Sequence, residues 1–296
     1  MEPVESPPIP RRADLIAGAL ILALLSIWFA DVVFFGRNFF LRDVTRYYYP
    51  MKQILRQVVF AGEFPFWNRA VGAGQPLAAN PEFEIFYPPT WLLCALPYYT
   101  AFRFLIIGHV VAGLLGTYAL LRTWRCRPVT AFYGAAAFGL GGGLLSLTNL
   151  WEHLTSAAWV PLVLLAFDRL LTRRSFAAFG AAATLLGMQL LVCEPTIPLQ
   201  SGILVIAWTV LRPVPAGNRM RMVFRDVRLV ALAGAVVSTN IGYQGLRLGP
   251  GSHAIAMRYR NPLVAIGSSV SLFSLAVILA GALIERLRSQ RQRRTT

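Results

Sequence analysis

YTAFRFLIIGHVVAGLLGTYALL, residues 99–121, carries only Arg103 and His109 as charged or imidazole side chains. A helix needs about 20 mainly apolar residues to cross the hydrocarbon core of a bilayer, and this run is long enough. Working outward, comparable blocks stand at 13–36, 129–150, 156–171, 176–193, 196–211, 229–245 and 262–284. The length rule then predicts about eight spans. The whole chain is 56% apolar and 14% charged, against about 25% charged in a soluble domain. The fold class read from this is all-α, a polytopic transmembrane helical bundle.

The net charge of +15 could suggest nucleic acid, but its placement argues for no nucleic-acid partner. The basic residues sit in short clusters between the apolar blocks, and Lys52 is the only lysine. With the N-terminus in the cytoplasm, alternation puts Arg11, Arg12, Arg122, Arg125, Arg127, Arg169, Arg173, Arg174, Arg212, Arg219, Arg221, Arg225, Arg228 and the tail arginines 286–294 inside. That is the positive-inside pattern, and it places both termini in the cytoplasm. Residues 1–12 read as a disordered tail, proline-rich and acidic before Arg11 and Arg12. The block at 13–36 is too long for a signal-peptide core and has no small-residue cleavage site, so it reads as a retained span. Cys94, Cys126 and Cys193 lie in or beside apolar segments at no metal-ligand spacing and read as small buried hydrophobes.

One polar stretch is long, the loop at 37–98. Within it, 50–61 has Met51, Ile54, Leu55, Val58 and Val59 on one helical stripe, with Lys52, Gln53, Arg56 and Gln57 opposite. Pro50 suits a first helical position and Gly62 a position past the end. The pattern predicts an interfacial amphipathic helix lying on the bilayer surface. Asp43, in RDVTRYYYP beside Arg42, Arg46 and Tyr47, has two readings: a structural cap or arginine partner, or a metal ligand or general base near a phosphate. Glu82 and Glu84, two apart in NPEFEIFYPP, would face one side of an extended segment and as paired carboxylates could help bind a divalent cation. His109 has two readings, a histidine hydrogen-bonded to a neighbouring helix or one lining a pocket, and the glycines at 139 and 141–143 read as close helix packing.

The loop and the apolar blocks after it resemble the YfhO-like membrane proteins of the wider GT-C glycosyltransferase class. The features run in order: RDVTRYYYP, GEFPFWNRAVGAGQPLAANPEFEIFYPP, GHVVAGLLGTYALLR, NLWEHLTSAAWVPLVLLAFDR and GMQLLVCEPTIP, over roughly residues 35–200. The resemblance implies a membrane scaffold whose large first outer loop holds an active site taking sugar from a polyprenyl-phosphate carrier at the outer face of the bacterial cytoplasmic membrane. On it, Asp43 is the catalytic base or a metal-associated carboxylate, with Glu82 and Glu84 as further contributors to a Mg²⁺ or Mn²⁺ site. Arg42, Arg46, Tyr47, Trp67, Asn68, Gln75, Asn80, Glu152, His153 and Glu194 are the substrate-binding set it implies.

The chain departs from the pattern after about residue 211, and Cys193 stands where a glycine is expected before Glu194. The organisation read from this is a GT-C-like core at 13–211 and a divergent part at 212–296 with two further spans and a basic tail. Two other readings stay open: a truncated, non-catalytic membrane scaffold, and a transporter or flippase for a lipid-linked substrate. Transporters favour internal repeats and midplane ionisable groups. No repeat is visible, and the ionisable residues gather at the ends of the blocks, which favours the enzyme.

Overall fold

A computed structural model describes residues 11–40, 42–69, 72, 74–192, 194–212 and 219–238. In chain order the elements are α1 (Arg11–Trp28), α2 (Ala30–Val33), a π-helical turn (Val44–Tyr48), α3 (Tyr49–Phe60), β1 (Trp67–Asn68) and β2 (Gln75–Pro76). They continue with α4 (Leu92–Ala95), α5 (Tyr98–Thr123), α6 (Pro128–Gly139), α7 (Gly142–Ser146), α8 (Trp151–Arg173), α9 (Phe176–Leu190), α10 (Thr196–Leu211) and α11 (Arg219–Ser238). Three helical segments, Tyr98–Thr123, Pro128–Asn149 and Trp151–Arg173, are long and apolar enough to cross a membrane, and α9 and α10 are shorter apolar helices. Two compact units divide the chain, one within 1–165 and 188–201, the other within 166–187 and 202–296.

In the first unit α5 is the spine. Phe102, Leu105, Ile106, Val110 and Leu114 bury one side of it at helical spacing, and it packs along α6 and α1. Glycines permit the close approach. A Cβ at Gly116 would stand 2.7 Å from Leu162 Cγ of α8, and one at Gly113 would stand 3.1 Å from Phe138 of α6. With lipid tails as apolar as the side chains, such packing carries helix association. At one end of α5, Arg122 Nε donates to Asp14 Oδ1 at 2.6 Å and Tyr118 donates to the same oxygen at 2.7 Å, tying α1 to α5.

Several expected boundaries move. The 13–36 block stops at Trp28 and resumes as the single turn α2. The 129–150 block breaks at Leu140 and Gly141 into α6, α7 and a 3-10 turn, Leu147–Asn149. Of the four glycines at 139 and 141–143, Gly139 packs against a neighbouring helix, beneath Leu114; Gly141 meets the Ala137 carbonyl of its own chain, and Gly142 and Gly143 face open space. Helix α8 starts ahead of the expected 156 and runs through Pro161 unbroken. The 196–211 block is α10 as read. Helix α11 begins at Arg219 rather than 229. The tail at 1–10, Cys193, the 262–284 block and the arginines at 286–294 lie outside the described residues. Cys94 and Cys126 are free thiols, half-buried rather than fully so.

The largest correction concerns α3. Lys52, expected on the solvated face, is fully buried, and Arg56 donates Nη1 to the carbonyls of Leu93 and Leu96, each at 2.9 Å. Tyr49 packs edge-on against Phe102, Tyr98 and Tyr99 of α5. The helix is therefore docked by its basic side chains as well as its apolar ones. The loop beyond it also enters the core: Leu77, Tyr87 and Leu93 are fully buried. Gly74 makes the β1–β2 hairpin possible, because at φ +100 it lies beneath the Trp67 ring, where a Cβ would overlap it.

Candidate functional site

Asp43 immediately precedes the π-helical turn. Such turns are rare and occur often at functional sites. Its backbone N–H donates to Asn149 Oδ1, and Asn149 Nδ2 donates to Asp43 Oδ2, both at 3.1 Å. Arg42 Nε donates to the other carboxylate oxygen at 3.2 Å, leaving the Asp43 side chain 30% exposed. Arg42 and Arg46 are exposed.

The π-helical turn then presents two tyrosines to two glutamates. Tyr47 donates to Glu82, and the buried Tyr48 donates to Glu152 at the start of α8. Burial first, then the negative charges of Glu152, Glu82 and Asp43, hold the Tyr48 hydroxyl well above the ordinary tyrosine pKa. Asp43, Glu82 and Glu152 thus gather around one neutral phenol. Tyr48 and Asn149 were not singled out from the sequence. Asn149 opens the NLWEH motif, and that adjacency to Glu152 was the one available signal.

Beneath this layer lies a dry ion pair. Lys52 Nζ stands 2.9 Å from Glu84 Oε2 and donates to the Glu82 carbonyl at 2.8 Å, with both side chains of the pair fully buried. Trp151 Nε1 and Thr90 Oγ1 also donate to Glu84 Oε2, at 2.7 and 3.3 Å. Glu82 and Glu84 do not share a face as expected. Asn80 caps a 3-10 turn, Pro81–Phe83, by accepting the Glu82 N–H, and Glu84 is left-handed at φ 51, so the two side chains part. Among the described residues no three His, Cys, Asp or Glu side chains converge on one point. Asp43, Glu82 and Glu84 do not form a ligand set for a divalent cation, because Glu84 is committed to Lys52 and Trp151.

His153 Nε2 stands 3.1 Å from Glu194 Oε2. Burial raises the Glu194 pKa, but hydrogen bonds from the Thr196 hydroxyl and N–H outweigh it, with His153 assisting, and the carboxyl sits below its usual range. Trp67, Asn68 and Gln75 occupy the β hairpin, paired Trp67 with Pro76 and Asn68 with Gln75. His109 of α5 is bonded to the loop rather than to a neighbouring helix. Its Nδ1 donates to the Leu105 carbonyl at 2.6 Å, which leaves Nε2 to accept the Tyr87 hydroxyl at 2.5 Å. Tyr87 in turn accepts Trp159 Nε1–H at 2.7 Å.

The family model described as bacterial membrane protein YfhO matches residues 15–189, more than half of the 296. No curated protein and no solved structure matches the chain.

Proposed function

The chain belongs to the bacterial membrane protein YfhO family, and on that premise we propose that it transfers sugar from a polyprenyl-phosphate-linked donor to an acceptor hydroxyl at the outer face of the cytoplasmic membrane. This reading keeps the eight-span topology with both termini inside and sets the loop at 37–98 outside. The observation that carries it is Asp43: a partly exposed carboxylate at the mouth of a buried polar layer, oriented by Asn149 and flanked by Arg42.

In the reaction, the Asp43 carboxylate takes the acceptor hydroxyl proton as that oxygen bonds to the anomeric carbon. The bond from that carbon to the phosphate oxygen breaks, and the polyprenyl phosphate leaves with the electron pair. Arg42 and Arg46 supply positive charge to the leaving phosphate. With Glu84 committed to Lys52 and Trp151, a Mg²⁺ or Mn²⁺ requirement would rest on Asp43 and Glu82 of the three expected carboxylates, and no step here depends on it. On this reading Tyr47, Glu82, Glu152, His153 and Glu194, from the loop and the helix ends, belong to the substrate-binding set, with Trp67, Asn68, Gln75 and Asn80 of the loop.

The test is sugar transfer by the purified chain in detergent, from synthetic short-chain polyprenyl-phosphate sugars to water or to a hydroxylated acceptor. Loss of a general base costs about 10²–10⁴-fold, so Asp43→Asn should lose at least a hundredfold in kcat while melting normally. Wild-type rates in Asp43→Asn would overturn the assignment of the base, and no transfer by wild type from any such donor would overturn the reading.

A further inference from the structure

Helix α11 lies outside the matched family region and carries features that sugar transfer does not use. Asp226 is its one acid, and it is 1% exposed. Arg174 Nη2 donates to its carboxylate at 2.8 Å, and Arg212 donates to the other oxygen. Ala233, two turns further on, is also fully buried. Residues seven apart share a helix face, so Asp226 and Ala233 define the inward side, and two arginines clamp it there.

The opposite side is exposed. Phe224 is 64% and Leu232 57% exposed, and Arg225 and Arg228 are exposed between them. Neither arginine takes part in an ion pair among the described residues, because the helix's own acid is already taken by Arg174 and Arg212. At 1.5 Å of rise per residue, these arginines lie within a turn or two of the apolar run LVALAGAVV at 229–237. That geometry sets unpaired guanidinium groups and a large aromatic ring at the edge of a hydrocarbon-seeking segment.

We propose that the outward face of α11 binds the bilayer surface through anionic phospholipid headgroups. Arg225 and Arg228 hold lipid phosphates, and Phe224 and Leu232 enter the boundary between headgroups and acyl chains. Arginine suits the task because its planar fork meets phosphate oxygens two at a time. Basic and aromatic residues at the end of an apolar run are the composition found where a helix meets the headgroups of the adjoining leaflet. The Asp226 clamp fixes the rotation of the helix, so the binding face is set before lipid arrives.

The full chain, purified in detergent, is titrated with short-chain phosphatidylglycerol or phosphatidylcholine while its melting temperature is followed. Phosphatidylglycerol should raise the melting temperature saturably and less so in high salt, and phosphatidylcholine should not. Each basic residue near an anionic surface contributes about a fivefold gain in affinity, so Arg225→Gln with Arg228→Gln should weaken phosphatidylglycerol roughly 30-fold. Arg37→Gln with Arg69→Gln removes the same charge elsewhere and should leave that affinity unchanged. Equal shifts with both lipids, or wild-type affinity in the Arg225/Arg228 variant, would overturn the proposal. So would a soluble oligonucleotide that stabilises the lipid-free protein as strongly as phosphatidylglycerol, which would assign the face to an acidic macromolecule.

Discussion

Asn149 grips Asp43 from both ends of its side-chain amide: Oδ1 accepts the Asp43 N–H and Nδ2 donates to the Asp43 carboxylate, each at 3.1 Å. The two residues are 106 apart in sequence, so this pair holds the start of the loop against the turn that precedes α8. Asn149→Ala should loosen residues 43–48 without unfolding the bundle. Two hydrogen bonds, one to a charged acceptor and both half-exposed, contribute about 1–2 kcal/mol together. Amide exchange across the π-helical turn should then quicken about tenfold, with α5 unchanged. Equal protection in the variant would mean that the Tyr47–Glu82 and Tyr48–Glu152 contacts hold the turn without Asn149.

The Lys52–Glu84 pair is fully dry. Removing one partner of a buried pair costs about 3–5 kcal/mol, because the other charge is left uncompensated. Lys52→Met should lower the melting temperature strongly. Adding Glu84→Gln should recover part of the loss, since Gln keeps an acceptor for Trp151 and Thr90 without a charge. A double variant as unstable as the sum of the singles would show that the two residues act independently.

The helices were more legible than the site, for a physical reason. Hydrophobic length is a local property, so the 99–121 and 196–211 blocks coincide closely with α5 and α10. The 50–61 helix was found to within a residue at each end, yet its polar face was misassigned. Polarity alone set Lys52 with the solvated residues, although it lies three residues from Leu55 and seven from Val59 and so shares their face; what leaves no local trace is its partner, Glu84, 32 residues away. The shared face of Glu82 and Glu84 failed for a local reason that was readable: Asn80 and Pro81 start a 3-10 turn. Asp43 was visible because charged residues flank a span there; Asn149 was not, since an asparagine before a helix reads as an ordinary cap.

Tyr87 is the hinge between loop and bundle, fully buried and bonded to both His109 and Trp159. Tyr87→Phe keeps the ring and removes the hydroxyl. His109 Nε2 and Trp159 Nε1 then lose their partner, and leaving buried polar groups unsatisfied costs about 1–3 kcal/mol each. The expected loss is about 2–4 kcal/mol by denaturation in detergent, the half-buried Trp159 contributing the smaller share. His109→Leu in the Tyr87→Phe background should restore some of it, because the orphaned acceptor is gone. A Tyr87→Phe variant as stable as wild type would mean that water reaches this layer.

Acid should weaken the contact around Glu194. Its carboxyl sits below the ordinary glutamate value because Thr196 donates to it through N–H and hydroxyl, although burial works the other way. A carboxyl with a lower pKa folded than unfolded stabilises the fold at pH above its unfolded value. That contribution is lost as pH falls through the folded value, because protonation then removes the acceptor charge. Between pH 6 and pH 3, spanning the unfolded glutamate value of about 4.3, wild type should therefore lose melting temperature faster than Glu194→Gln. Thr196→Val removes the hydroxyl donor and leaves burial in place, so it should shift the wild-type acid transition toward higher pH. Parallel acid profiles for wild type and Glu194→Gln would show that Glu194 is not linked to folding, and that its contacts with Thr196 and His153 do not persist in solution.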